Sequence, residues 1–414
     1  MTNFNSDPTL KMHLDINSCF ATIEQQANPL LRNKPVVIAS RDTPQATIVA
    51  ASYEAKAFGI KTGTKVNEAK EVLPNIIVLE PDPDKYRDAH LKIREVLNSY
   101  TDNLHPKSID EFVMDFTNMN VSPDKLLGIG QNIKDDIRKR VGEYISVSIG
   151  IGASRFIAKT ASNVIKPNGL YQIDPTNYLD VYSKMTLPDL YGINKGYTAR
   201  LNSIGIFNVL DFYNAQEELL FEAFKSVGAR FWYLRIRGYE VDDVEWDRKS
   251  FGNSYVLRRP TTFAQIGPIL MKLVVKTAKR LRDGGFKARG IHLGILYDDN
   301  TYWHQGKKLE QSLFDERDIY RELFKILNKA PSRSKKIKKI AESCFYLVRK
   351  SFSQLDLFND VFKKTDLITS IDLVNDKFGQ FAITPGRMVS AKDEVPDALG
   401  FGRIRELNDR IAGV

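Results

Sequence analysis

Cysteine is almost absent: the 414 residues contain two, Cys19 and Cys344. That excludes a disulfide framework and a cysteine-based zinc site. No apolar run approaches membrane-spanning length, and the N-terminus lacks the charged and apolar regions of a signal peptide. Internal repeats and low-complexity tracts are missing as well. What these absences leave is a soluble chain of a reducing compartment. It is too long for one ordinary domain, so two to four are expected, and at 43% hydrophobic residues it can build real cores.

The charge is one-sided in one place. The whole chain carries +9. Between Arg248 and Lys350 stand 24 basic and 9 acidic residues, a net +15, which leaves −6 for the remainder. A block of this size with mixed helix and strand patterns is a domain, and the basic excess favours nucleic acid, another acidic partner or a membrane surface.

One stretch reads as a short strand interrupted by two adjacent acids: Ser108-Ile109-Asp110-Glu111-Phe112-Val113-Met114-Asp115. Repulsion and desolvation argue against burying both carboxylates unpaired, and a multivalent cation resolves the conflict. Alone, such a pair is more often a solvated strand end. Upstream, Lys11–Ile16 reads as a strand with Asp15 near its carboxyl end, a common ligand position. Asn17 or Ser18 is expected to cap the helix that follows. The first ten residues read as a disordered leader, and Asp115 as structural.

Five blocks stand in order along the chain: Asp15-Ile16-Asn17-Ser18-Cys19-Phe20-Ala21, Lys34-Pro35-Val36-Val37, Tyr53-Glu54-Ala55-Lys56-Ala57-Phe58-Gly59-Ile60-Lys61-Thr62-Gly63, Ser108-Ile109-Asp110-Glu111, and the run from Ser148 to Ser162 continuing into Lys166-Pro167-Asn168-Gly169. Together they resemble the Y-family DNA polymerases, the DinB/UmuC type. Any one alone is weak; in this order, across residues 11–170, they are very specific. The resemblance implies an α+β right-hand fold. Palm is expected at residues 1–18 and 79–175, fingers at 19–78, and a helical thumb with a helix-hairpin-helix at 176–240. A linker at 241–247 and a basic β-α-β-β-α-β-like little finger at 248–350 follow, then a tail at 351–414. It implies template-directed addition of dNTPs to a primer 3′ end, specialised for damaged DNA as part of the SOS response, without proofreading.

It also implies roles for single residues. Asp15, Asp110 and Glu111, with the Ile16 carbonyl, would hold two Mg²⁺ ions. Tyr53, Lys56 and Lys159 would contact the triphosphate, although many members have arginine where Lys56 stands. Phe20 would be the steric gate against a 2′-hydroxyl, and Cys19 a small buried hydrophobe. Around Gly192-Ile193-Asn194 the usual Gly-Ile-Gly of the hairpin has lost its second glycine. Lys249 and the run Lys335-Lys336-Ile337-Lys338-Lys339 are candidate contacts to primer–template DNA. Lys272 to Arg282 reads as a basic helix.

Gln354-Leu355-Asp356-Leu357-Phe358 matches the short peptide that docks on the bacterial sliding clamp. A UmuD-like accessory protein or a recombinase filament is a further partner open to this family, and the location implied is cytoplasmic. Residues beyond Ala382 read as a polar segment that orders only against a partner. Two alternatives stand beside this reading. A catalytically inactive, clamp-bound DNA-binding protein would be expected to have lost the acids. Another palm-type nucleotidyl enzyme, such as a cyclase, would need no basic domain.

Overall fold

The computed structural model describes residues 2–242, 248–349 and 361–396. Two compact units divide the chain, one within residues 1–244 and one within residues 245–397.

In the first unit the chain runs β1 (Lys11–Ile16), α1 (Cys19–Ala27), β2 (Val36–Ala39), β3 (Ile48–Ala51), α2 (Tyr53–Lys56), α3 (Val66–Val72), β4 (Ile77–Leu79) and α4 (Pro83–Asn98). It continues through β5 (Leu104–Ser108), β6 (Glu111–Asp115), α5 (Leu126–Arg140), β7 (Val147–Gly152), α6 (Arg155–Val164) and β8 (Leu170–Gln172). The main sheet has the order β5-β6-β1-β7-β8, antiparallel except for the β7–β8 edge. A small sheet, β3-β2-β4, stands apart.

Strand alternation sorts the main sheet. Met12, Leu14, Ile16, Phe112, Met114, Ile149 and Ile151 enter one core with residues of α1, α4 and α5. The opposite face carries His13, Asp15, Glu111, Ser148 and Gly150, and α6 lies over it. A side chain at Gly150 would sit 2.0 Å from the Ala158 carbonyl oxygen, so the glycine is what lets the helix approach.

The expected strand over 108–115 is in fact a hairpin. β5 ends at Ser108, β6 starts at Glu111, and Ile109-Asp110 is the two-residue turn between them. The turn removes the conflict of two acids inside one strand, since Asp110 leaves the ladder.

Helices α7 (Tyr178–Ser183), α8 (Lys195–Asn202), α9 (Val209–Asn214), α10 (Glu217–Phe224) and α11 (Gly228–Arg235) build a separate core. Gly192 has φ +94°, which a side chain rarely adopts. Asn194 does not take a left-handed turn; its Oδ1 caps α8 by accepting from the Tyr197 N–H at 3.0 Å. The expected leader is also corrected. Phe4 is buried in this helical core, stacked on Tyr178 at 4.0 Å, and the Asn5 N–H donates to the Arg237 carbonyl. The Phe4 ring and hydrogen bonds from Thr2 and Asn5 to Tyr233, Arg237 and Gly238 order this short polar segment together.

The second unit runs β9 (Ser250–Thr261), α12 (Ile266–Asp283), β10 (Phe286–Tyr297), β11 (Tyr302–Leu313), α13 (Glu316–Leu327), β12 (Ile337–Arg349) and α14 (Val361–Phe378). Its antiparallel sheet has the order β11-β10-β12-β9. Residues 382–396 of the polar tail pack within this unit: Met388, Ala391 and Val395 join its core. The Lys272 ammonium donates to the carbonyls of Ala391, Lys392 and Glu394, and Arg282 pairs with Asp372 at 2.7 Å. Part of the basic helix α12 therefore binds the chain's own tail.

Glu342 is fully buried in this unit. Its Oε1 accepts from the Thr277 hydroxyl and the Asn253 N–H, while Oε2 has no partner. Burial pushes its pKa up to about 8, against the weaker opposing pull of Thr277, Arg280 and Asn253. The folded chain thus holds a proton that the unfolded chain releases near pH 4.5, so stability falls as pH rises through the window from about 4.5 to 8. Glu342→Gln keeps an acceptor and removes the charge. Its melting temperature should exceed the parent's at pH 8, and the difference should shrink toward pH 5. Superimposable melting-temperature profiles against pH would refute the assignment.

Candidate active site

Asp15 and Glu111 stand directly opposite each other across the β1–β6 ladder, so their side chains share a face. His13, two residues before Asp15, lies on the same face. Donor atoms of His13, Asp15 and Glu111 all fall within 4.8 Å of one another. Asp110, expected as the third carboxylate, is not in that set. It sits on the turn, and its Oδ1 accepts from the Ser108 hydroxyl. Its charge is still felt there: burial first, then the charges of Glu111 and Asp15, push its pKa up to about 6, against the Ser108 hydrogen bond.

The turn is fixed from both sides. The Ile16 N–H donates to the Asp110 carbonyl at 2.8 Å. Beneath, buried His90 holds the Ile109 carbonyl through Nδ1 at 2.9 Å and stacks on Phe112. Asn17 is no helix cap. It is a buried hub whose Oδ1 accepts from the Asn168 N–H at 2.7 Å and whose Nδ2 donates to the Ser148 hydroxyl at 3.0 Å. Ser18 follows in the left-handed region and makes no side-chain cap either.

That hub positions Lys166, which sequence reasoning quoted in a motif without assigning it a role. Its Nζ lies 2.7 Å from Asp15 Oδ1. Lys56 donates to the Ser18 hydroxyl at 2.7 Å and lies over the Tyr53 ring at 4.4 Å. Burial, then the charge of Lys166, lowers the Lys56 pKa, while Asp15 opposes the shift. Burial, then the charge of Asp15, pushes Tyr53 up to about 12. Tyr53, Lys56 and Lys166 thus gather on the Asp15 side.

Lys159 is on the other side. It bonds Glu111 Oε1 and lies over the Tyr191 ring at 4.6 Å. A cavity of about 360 Å³ opens there, lined among others by His13, Lys107, Glu111, Lys159, Tyr191 and Trp232. Phe20 is buried, with its ring stacked on Tyr86 at 4.3 Å, and Cys19 is a buried free thiol. Asp115 pairs with Lys11 at the far end of the ladder, a structural contact.

The other candidates are scattered. Lys249 is exposed, Lys335 pairs with Asp299 at 2.5 Å, and Lys338 donates to Asn300 at 2.8 Å. Lys336 and Lys339 make no ion pair among the described residues. Gln354, Leu355, Leu357 and Phe358 lie outside the described residues. Strand alternation could have found His13, and Lys166 stood in the quoted Lys-Pro-Asn-Gly run.

Converging carboxylates with cations around them suit a divalent ion and a phosphate-bearing substrate. The donor set fits an ion: ligand atoms of His13, Asp15 and Glu111 converge within 4.8 Å, and the His13 Nε2 is buried without a hydrogen bond.

Known proteins agree with this geometry. The impB/mucB/samB family matches residues 14–163, and that family's C-terminal domain matches residues 248–357. DNA polymerase IV of Moorella thermoacetica is 31% identical over 380 residues, covering 89% of this chain and 93% of the relative. DNA polymerase IV 1 of Bacillus subtilis is 28% identical over 403 residues, covering 94% and 96%. Among solved structures, a chimeric Y-family DNA polymerase aligns with a TM-score of 0.72 at 23% identity, covering 82% of this chain and 99% of that one. An insertion ternary complex of Dbh DNA polymerase aligns at 0.58 and 22% identity, with coverage of 82% and 99%. These structures support the fold. No helix among the described residues is long and apolar enough to cross a membrane. The chain belongs to the Y family of DNA polymerases, DinB type, and is a metal-dependent DNA-directed DNA polymerase of the translesion kind.

Proposed function

We propose that this polymerase extends primers across damaged templates with two Mg²⁺ ions held by Asp15, Asp110, Glu111 and the Ile16 carbonyl. The observation that carries it is the meeting of Asp15 and Glu111 across one ladder with Asp110 on the adjoining turn. When bound, the ions supply charge neutralisation at the phosphates and a more nucleophilic primer 3′-hydroxyl. The chain's own residues do the positioning. Phe20, fixed flat on Tyr86, excludes a 2′-hydroxyl. Primer extension past an abasic site or a bulky adduct tests the reading; arrest at both lesions, with normal copying of intact template, would remove the translesion part.

The lysines divide the substrate between them. Tyr53, Lys56 and Lys166, gathered beside Asp15, suit the triphosphate; Lys159, beside Glu111, suits the primer end. This moves the second triphosphate cation from Lys159, expected from sequence, to Lys166. Lys166→Ala should raise the KM for dNTP about 10–100-fold, the value of one charge-assisted hydrogen bond of about 1.5–3 kcal/mol. Lys159→Ala should act mainly on kcat. Steady-state kinetics with varied dNTP decides; the opposite pattern would restore Lys159.

We also assign palm to 1–18 and 79–175, fingers to 19–78, thumb to 176–240 and little finger to 248–350. Gln354–Phe358 is read as a sliding-clamp peptide. Leu357→Ala with Phe358→Ala should leave extension of a short primer unchanged and abolish its stimulation by a loaded clamp, because buried apolar anchors carry most of a short peptide's binding energy. Retained stimulation would place the clamp contact elsewhere. Two buried free thiols suit the reducing cytoplasm.

A further inference from the structure

We propose that His13 is a further protein donor, beside Asp15 and Glu111, to one of the divalent ions at this site, and that it biases that ion from Mg²⁺ toward Mn²⁺. The inference rests on the reading that the carboxylates hold a divalent ion.

The strand sets the geometry. His13 and Asp15 are two residues apart on β1, so both point to the face shared with Glu111. In register, His13 has Val113 on one side and Gly150 on the other, and neither competes for a polar contact. The imidazole is 2% exposed, and its Nε2 has no hydrogen-bond partner. A buried polar atom without a partner is uncommon and costly, so one is expected. Glu111 is not that partner as it stands. Lys159 takes its Oε1, and its Oε2 lies 3.8 Å from His13 Nε2, too far for a hydrogen bond. Two oxygens or nitrogens on one octahedral ion with bonds of about 2.1 Å stand about 3.0 Å apart when adjacent and about 4.2 Å when opposite. The observed 3.8 Å matches neither, so an ion shared by the two requires the Glu111 side chain to turn and close that distance by about 0.8 Å. An ion placed there would satisfy the imidazole and the free Glu111 oxygen together.

Donor chemistry then selects the ion. Mg²⁺ is held through oxygen, and first-row transition ions accept imidazole. Mn²⁺ also suits carboxylate, water and phosphate oxygens, so it is the transition ion that fits the rest of the site. His13 would thus add affinity for Mn²⁺ and little for Mg²⁺.

The test is direct binding of Mn²⁺ to the full chain, followed by electron paramagnetic resonance, with Mg²⁺ as competitor. The variants are His13→Leu, His13→Gln and Asp15→Asn, each checked for folding by its thermal melt. In the parent, bound Mn²⁺ should show ¹⁴N coupling by electron spin echo, and both His13 variants should lose it. Their Mn²⁺ affinity should fall about tenfold or more, within the range for disturbing a metal's surroundings, while Mg²⁺ affinity stays within about twofold. Nitrogen coupling that persists in both His13 variants would overturn the proposal. So would equal losses for the two ions, which would mean that His13 only orients Glu111. If His13→Leu does not fold, the isopolar His13→Gln carries the same readouts. Asp15→Asn separates the premise: unchanged Mn²⁺ binding in that variant would sink the metal-site reading itself, whatever His13 does.

Discussion

Asp110→Asn and Glu111→Gln should each reduce primer extension by about 10³-fold or more while changing primer–template affinity by less than about threefold. The chemistry needs concentrated negative charge to seat a cation, and phosphoryl transfer depends almost wholly on charge stabilisation and positioning. Both substitutions keep shape and remove charge. At Asp110 an amide can still accept from the Ser108 hydroxyl, so the turn should survive. At Glu111 an amide oxygen can still face Lys159, so the ladder opposite Asp15 should survive. The chain's positive excess lies in residues 248–350, which is why affinity for DNA should hold. Single-turnover extension and a binding titration on the same preparations check both halves. Extension near the parent's rate in either variant would remove that residue from the metal site.

Much of the site was legible because its backbone logic is local. Asp15 sits at the end of an apolar–polar strand, and alternation alone sends Met12 and Leu14 to the core and Asp15 away from it. The same rule applied one step back yields His13. It was passed over because a lone histidine in a strand carries no chemistry until Glu111 is known to stand diagonally across from it. Partnerships of this kind were not legible. Which lysine faces which carboxylate depends on the Asn17 hub, and its partners are Ser148 and Asn168. The Ile109-Asp110 turn was missed because Phe112 and Met114 continue the apolar pattern past it. The packing of residues 382–396 against the chain's own groups was not legible for a related reason. That segment's own sequence is polar, and a group that orders it belongs to α12: the ammonium at Lys272, seeking carbonyls.

Removing four cations at once, by Lys249→Ala, Arg258→Ala, Lys336→Ala and Lys339→Ala, should weaken primer–template binding roughly 10³-fold at about 0.1 M salt, since each phosphate contact contributes close to one unit of slope in log affinity against log salt. The four are chosen from what the fold leaves over. Of the basic excess in residues 248–350, Lys272, Lys279 and Arg282 are tied to the tail or to α14, and Lys307 pairs with Glu322. Lys335 pairs with Asp299 beside the β10–β11 turn. Lys249, Arg258 and Lys336 are exposed and, like Lys339, make no ion pair among the described residues. Arg258 and Lys339 also point the same way: Val256 stands opposite Lys339 in the β9–β12 ladder, and Arg258 shares Val256's outward face, while Tyr255 and Leu257 enter the core. Substituting Lys335 and Lys338 instead should cost far less, because their side chains already hold Asp299 and Asn300. Fluorescence anisotropy of a labelled primer–template across a salt series measures affinity and slope together. The fourfold variant should lose affinity on every sequence alike and flatten the slope by about one unit per residue that meets a phosphate. An unchanged slope with an unchanged affinity would mean that the basic unit grips DNA through other cations or not at all.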